Sequence, residues 1–337
     1  MKHLTIADYG TRVGIKGERV VVYDSEGKGI QAPLNRLATI TIVKDGVSLS
    51  SNLFIQCGMR GIKIFIFDSL GREVVCLSGG QQHAVAKLRE HQFSFLKSSD
   101  TIHLAKKQVV GKIQAQKAVL KYFLKYYSKK EIVDGETVNT DILSSASENM
   151  NQVLVNVKGT QFQYYKKWRS LLMGHEGYAS RIYWQALKES YLTPFSFKGR
   201  HGRGANDFTN KLLNYGYAVL STYVWSSLIN AGLEVYAGFL HTQRPGKPSL
   251  VLDIMEEYRP WVVDRSVLKL RHLYKNREDL PKKVRNQMIQ EIHSNFEKRY
   301  QYKGKSLKLD TILQRQTYRL AGHFSGNKKY KPMTFKW

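Results

Sequence analysis

Cysteine is nearly absent. Two residues, Cys57 and Cys76, in a chain of 337 exclude a disulfide framework, and no Cys/His spacing suits a zinc site. Each sits in an apolar stretch, so both read as reduced core residues of a cytoplasmic protein. No apolar run approaches the roughly 20 residues needed to span a bilayer. Residues 1–10 are too short and too polar a stretch for a secretory signal. No basic amphipathic surface helix stands out, which argues against a peripheral membrane protein. Internal repeats and low-complexity tracts are lacking too. Acidic side chains are the last shortage: 27 Asp and Glu face 53 Lys and Arg, a formal net charge of +26. A chain that repels itself this strongly calls for a polyanionic partner, and nucleic acid is the first candidate.

Apolar residues make up 42% of the chain and aromatics 12%, enough for a substantial core. The charge is unevenly spread. Residues 1–80 hold ten basic and seven acidic side chains, a net of +3, so the other 257 residues carry +23. The first part reads as short strands: Arg19–Tyr23, Ala38–Val43, Gly61–Phe67 and Glu73–Leu77, separated by Asp/Gly turns, with one short helix from Asn52 to Met59. That pattern predicts an antiparallel sheet or small sandwich. After Gly79-Gly80 the periodicity turns helical. Helices are expected over Gln82–Leu96, from Asp100 to Tyr127, after Asn139, from Thr160 to Ala186, from Asp207 to Ile229, and over Ser249–Leu270, Pro281–Tyr300 and Leu307–Ala321. The fold class is therefore α+β. A small N-terminal β-sandwich-like domain, residues 1–80, precedes a larger all-α domain, residues 81–337, against which the polyanion should lie.

Three stretches in the second part put acidic or imidazole groups where packing alone has little use for them. In Met173-Gly174-His175-Glu176-Gly177 a glutamate is flanked by glycines inside an apolar helical run; the plain alternative is a kinked, solvated face. In Gly238-Phe239-Leu240-His241 an apolar lead-in ends on a histidine, a residue that in such places is often only a hydrogen-bonded core group. In Asp253-Ile254-Met255-Glu256-Glu257 three carboxylates share a helix face and repel one another, unless Arg259 or a cation compensates them. Carboxylate oxygens with one imidazole suit Mg²⁺ or Mn²⁺. A divalent cation there would activate a water or a 3′-hydroxyl and neutralise charge building on a phosphate. Basic neighbours would grip the backbone without choosing a sequence.

At these stretches the chain resembles the CRISPR-associated endonuclease family Cas one, the integrase core of spacer acquisition. The resemblance lies in Met173–Ser180, Gly238–His241 and Ser249–Pro260, in that order. A fourth stretch supplies Asp207, Asn210, Leu213, Gly216 and Tyr217, with Phe208 where the family has proline. It covers about residues 1–265. It implies Glu176, His241 and Glu256 as catalytic metal ligands for Mg²⁺ or Mn²⁺, with Asp253 as a supporting or alternate ligand. It implies a homodimer joined through the β domains, and association with the small protein Cas two. Double-stranded and branched DNA are the implied substrates, joined by attack of a 3′-hydroxyl on a repeat phosphate. Arg181, Lys198, Arg200, Arg203 and Tyr178 are the candidate DNA contacts. Trp168, Tyr164 and Tyr165 fit core packing better than base stacking, and His175 an outward or supporting role. Two rival readings are a repair nuclease that cuts branched DNA with the same residues, and a non-catalytic nucleic-acid-binding protein.

Overall fold

Consecutive β-branched residues open the first unit. Val20, Val21 and Val22 lie in strand β3 (Arg19–Tyr23), which pairs antiparallel with β2 (Arg12–Lys16) and β4 (Gly29–Pro33). A short β6 (Ser48–Leu49) adds to β2 in parallel. The second sheet has the order β1 (His3–Ile6), β5 (Thr39–Ile42), β7 (Lys63–Phe67), β8 (Glu73–Leu77). Its first three strands are parallel and only β8 runs against β7. The sequence predicts antiparallel pairing throughout, and the difference has a physical cause. Parallel neighbours need a crossover. Helix α1 (Ser51–Met59), capped by Ser50 Oγ accepting the Leu53 N–H at 3.3 Å, supplies one between β5 and β7. Val20, Ile40, Leu53 and Ile64 form the core of this unit, each 1% exposed or less.

The computed structural model describes residues 2–68, 73–79, 85–128, 138–161, 167–194, 196–202, 207–274 and 281–335. The chain divides into two compact units, Met1–Val85 and Ala86–Trp337. Among the described residues no helix is long and apolar enough to cross a membrane.

The second unit is built on α2 (Val85–Leu96), α3 (Asp100–Tyr127), α4 (Thr140–Gly159), α5 (Trp168–Glu189) and α6 (Phe208–Asn230). Side-chain caps start two of these helices. Asn139 Oδ1 accepts the Asp141 and Ile142 N–H groups, and Asp207 Oδ1 accepts the Asn210 N–H. Helix α6 buries nearly its whole circumference, as a central helix does. The single helix expected over Ser249–Leu270 is broken instead. It comprises α7 (Ser249–Met255), a π-type turn over Arg259–Asp264, and α8 (Arg265–Lys269). Pro260 has no N–H to continue the ladder, and the wider turn forms at that point.

The second unit is also not wholly helical. Between α9 (Lys282–Glu297) and α10 (Leu309–Phe324) lies a hairpin of β9 (Arg299–Tyr302) and β10 (Lys305–Lys308). It turns at Lys303 (φ +49°) and Gly304 (φ +76°). Two left-handed residues in succession suit a tight hairpin turn. Beyond α10 the chain folds back on the acidic stretch. Phe335 stacks on Trp261 with ring centroids 5.2 Å apart, and Tyr330 O–H and Met333 N–H both donate to the Glu257 carboxylate. Burial pushes that carboxyl up to about 8, although the hydrogen bonds from Tyr330, Met333 and Gln108 favour its charged form.

Candidate active site

A polar stripe runs along α3: Gln108, Lys112 and Gln116, four residues apart and therefore on one face. Each reaches a different part of the chemistry-bearing sequence. Gln108 Nε2 donates to the Asp253 carbonyl at 2.6 Å. Gln116 Nε2 donates to Ser180 Oγ at 3.1 Å, and Ser180 O–H in turn donates to Glu176 Oε1 at 3.2 Å. Lys112 lies between them, its ammonium on Glu176 Oε1 and 2.6 Å from Glu256 Oε2. Lys112, Glu176, His241 and Glu256, with Met173 and Leu240 as apolar wall, line a cavity of about 10 Å³. That is room for about one water or one ion.

Asp253 stands behind this cavity. It is fully buried, and its two oxygens are saturated. Oδ2 accepts the Phe239 and Leu240 N–H groups at 2.6 and 3.0 Å. Oδ1 accepts the His241 N–H at 2.9 Å and lies 2.7 Å from His241 Nδ1. A carboxylate can only accept, so Nδ1 carries the proton and Nε2 is left as the basic nitrogen of the ring. Gly238 makes this possible. A Cβ there would fall 2.6 Å from Asp253 Oδ2 and 2.7 Å from Ser249. The Gly-Phe-x-His stretch is thus a loop wrapped on a buried carboxylate. Asp253, expected as a supporting or alternate ligand, occupies the place of a residue that orients the imidazole.

Glu256 sits at the end of α7, 4% exposed, between two cations. Arg259 Nη1 is 2.5 Å from Oε1 and the Lys112 ammonium holds Oε2. Burial raises the Glu256 pKa, but Arg259, Lys112 and His241 outweigh it and hold the carboxyl at about 2. Burial also opposes the charge of Lys112, and Glu256 and Glu176 more than offset it, so its pKa lies above the usual lysine value. Arg259 is itself braced over the Tyr217 ring, 5.0 Å from its centroid, with Arg200 over the same ring at 5.1 Å. Tyr217 O–H donates to Asp264 Oδ1 at 2.5 Å and Tyr183 O–H to Oδ2 at 3.3 Å.

Asp264 gives this support a pH signature. Burial pushes its carboxyl up to about 6, despite the opposing hydrogen bond from Tyr217 and the charge of Arg200. Unfolded, the group ionises near 3.8. Between those values the folded chain keeps a proton that the unfolded chain has released. The stabilisation is complete below pH 3.8 and is lost as pH rises to about 6, a change of about 3 kcal/mol. Denaturant midpoints measured from pH 4 to 7 should fall in the wild type, where Glu257, pushed up to about 8, adds to the Asp264 contribution. An Asp264→Asn variant should show a flatter profile by that amount.

The other expected site residues fall into several groups. Tyr178, 55% exposed, is on α5 with Arg181, also exposed, and Lys198 is exposed in the following loop. Arg200 is half-buried and holds Asn210 Oδ1 at 2.9 Å and Asn214 Oδ1 at 2.7 Å, so its guanidinium fastens the loop to α6. Arg203, Tyr164 and Tyr165 lie outside the described residues. Trp168 is buried and His175 half-buried. Gly174 and Gly177 face open space, since a Cβ on either would meet nothing within 4 Å. Lys112 is not among the residues singled out from sequence. Its signal was the Gln-Lys-Gln repeat at a spacing of four inside an apolar helix.

Two carboxylates and an imidazole are a donor set of the kind that Mg²⁺ or Mn²⁺ accepts. Among the described residues no three of His, Cys, Asp and Glu enclose a metal position as the side chains stand. Glu176 and Glu256 nevertheless converge on one cationic point, where the Lys112 ammonium serves as stand-in. The residues therefore fit a divalent cation at that point.

Residues 4–295 match the family model described as CRISPR associated protein Cas1. The chain is 44% identical over 337 residues, all of both chains, to CRISPR-associated endonuclease Cas1 1 of Francisella tularensis subsp. novicida (strain U112). Its fold is similar to a structure described as a casposase bound to integration product. The TM-score is 0.81 at 20% identity, covering 100% of this chain and 95% of that one. It is similar as well to a chain of a Cas6-RT-Cas1–Cas2 complex, with a TM-score of 0.78 at 20% identity, covering 100% of this chain and 36% of that one. On the family match and the identity to the Francisella protein, the chain belongs to the Cas1 family of CRISPR-associated proteins.

Proposed function

We propose that this protein is a metal-dependent DNA endonuclease and integrase of CRISPR adaptation. It joins the 3′-hydroxyl of a captured DNA fragment to a phosphate of a repeat array. The observation that carries this reading is the meeting of Glu176, Glu256 and an Asp253-oriented His241 around one cation-sized cavity. The Francisella relative is named an endonuclease, and the casposase neighbour is described as bound to an integration product. The first supports a cutting activity and the second a joining one.

The chain's own residues divide the work. Glu176, Glu256 and His241 Nε2 would hold Mg²⁺ or Mn²⁺. Bound there, the ion supplies Lewis-acid stabilisation of charge on the phosphate and favours the deprotonated hydroxyl. Asp253 fixes the tautomer and direction of His241. Arg259 keeps Glu256 turned into the cavity, and Ser180 does the same for Glu176. Leu240, which is buried, and Met173 give one side of the cavity an apolar wall. In the reaction, the incoming 3′-oxygen forms one phosphodiester bond as another is broken, and the departing 3′-oxygen takes up the proton balance. Bonds of the same kind are exchanged, so no energy-rich cofactor is needed.

Partners follow from the same reading: duplex and branched DNA, a second copy of the chain through the β unit, and a Cas2 protein, as in the Cas1–Cas2 neighbour. Tyr178, Arg181 and Lys198 are exposed, and on this reading they contact the phosphate backbone. An Arg181→Gln, Lys198→Gln double variant should therefore bind duplexes of any sequence more weakly. The slope of log affinity against log salt should drop by about 2, one per lost phosphate contact. Fluorescence anisotropy over a salt series measures it, and an unchanged slope removes both residues from the interface.

The whole reading is tested by mixing the protein, Cas2, a short duplex with free 3′ ends and a supercoiled repeat plasmid, with Mg²⁺ or Mn²⁺. Joined product that vanishes in EDTA is the expected result. Its absence with both metals contradicts the proposal.

A further inference from the structure

We propose that Lys112 is a displaceable resident cation: its ammonium keeps Glu176 and Glu256 together until a divalent ion takes their place, and it thereby sets the site's affinity for that ion. This rests on the reading of the site as a divalent-cation centre.

Two carboxylates aimed at one point repel each other, and a half-closed cavity weakens the screening that water provides. Glu256 is 6% exposed at its side chain and Glu176 and Lys112 15% each. Without a cation this pair would splay. Lys112 supplies one positive charge at the point where both carboxylates meet. A divalent ion at that point and an ammonium on the same oxygens exclude each other by contact and by charge.

The surroundings let the lysine leave without disturbing the carboxylates. Arg259 holds the other oxygen of Glu256 at 2.5 Å, and Ser180 holds Glu176 at 3.2 Å. Gln108 and Gln116 anchor α3 one turn on either side, so the helix stays in place and only the four-carbon stem has to swing. A lysine suits this role better than an arginine. Its charge is compact, and its stem has several rotatable bonds, whereas a guanidinium would lock both carboxylates in a planar fork. The site is thus held assembled in the metal-free protein, and divalent ions must compete for it.

The test compares full-length wild type with Lys112→Met and Lys112→Gln, using Mn²⁺ alone as the probe. Calorimetric titration should show Mn²⁺ binding at least about tenfold tighter in both variants, because an adjacent positive charge has been removed. In EDTA both variants should melt below wild type, and Mn²⁺ should raise their melting temperature by more than it raises that of wild type. If Lys112→Met fails to fold without metal, Lys112→Gln carries the affinity measurement, and recovery of the Met variant by Mn²⁺ supports the proposal. Clear binding by wild type with equal or weaker binding by the variants overturns the placeholder role alone. No Mn²⁺ binding by any of the three overturns the cation centre, and this role with it.

Discussion

Glu176→Ala should abolish strand joining and leave duplex binding intact. Glu176 lines the cavity with Glu256 and His241, and it is held toward Lys112 and Ser180. Removing it leaves one carboxylate and one imidazole, too few charges to retain a hard divalent cation against water. The expected loss in joining rate is at least about 10³-fold, equivalent to about 4 kcal/mol of transition-state stabilisation. The fold should survive, because the lost side chain lies at the cavity wall and Lys112 keeps Glu256 as its partner. Binding should survive because the basic surface is untouched. Product quantified on a gel, alongside anisotropy with a labelled duplex, separates the two effects. A non-catalytic nucleic-acid-binding protein would show no joining to lose. Parallel loss of binding would instead mean that Glu176 supports the fold.

Asp253 should produce the largest effect on stability. Its carboxylate satisfies three backbone N–H groups and the His241 ring from a fully buried position. Asp253→Ala strands those donors, each at about 1–3 kcal/mol. The sum approaches the whole stability of an ordinary domain, so this variant should fail to fold or should melt far below wild type. Asp253→Asn is the finer probe. It preserves shape but turns one acceptor into a donor, which then faces either backbone N–H groups or the Nδ1 proton of His241. It should cost about 2–4 kcal/mol and slow joining by about 10–100-fold through misdirection of the imidazole. Thermal melts and joining assays read the two losses independently. A stable Asp253→Asn protein that has lost metal binding outright would make Asp253 a ligand and not an orienting group.

The chemistry-bearing stretches were legible because each violates local economy. A glutamate between glycines, a histidine ending an apolar segment and a triplet of carboxylates all lack a packing rationale in a basic chain. Spacing alone could not rank the carboxylates. Asp253, Glu256 and Glu257 share a helix face, yet in the structure they point to three different partners: the His241 loop, the cavity and the C-terminal tail. Those partners are 12 or more residues away in sequence, and nothing local to the triplet encodes them. Lys112 was hidden for the same reason. A lysine in a helix with many lysines looks like a solvated face until the packing of α5 and α7 is known.

For the fold, β3, β5, β7 and β8 followed from β-branched runs and most helix positions from periodicity and caps, while β1, β2, β4 and β6, which lack such long runs, and strand direction did not. Whether β5 meets β7 in parallel depends on where α1 crosses, which is a property of the sheet and not of either strand. The hairpin Arg299–Lys308 was masked by its charge, since alternation of Arg, Gln and Lys with Tyr and Leu resembles a polar helix end. The break near Pro260 falls inside the run expected as one helix over Ser249–Leu270, whose apolar periodicity continues through the proline, and the wider turn there redirects the chain a few residues after Glu256.

Glu176, Glu256 and His241 are proposed to form a single divalent-cation site. Crystals of the protein grown without metal and soaked in Mn²⁺ test it directly through anomalous scattering. One peak within about 2.5 Å of both carboxylates and of His241 Nε2, with the Lys112 ammonium moved away, is the predicted result. A peak centred on Asp253 or Glu257, or no peak while Lys112 remains between the carboxylates at saturating Mn²⁺, would contradict the account.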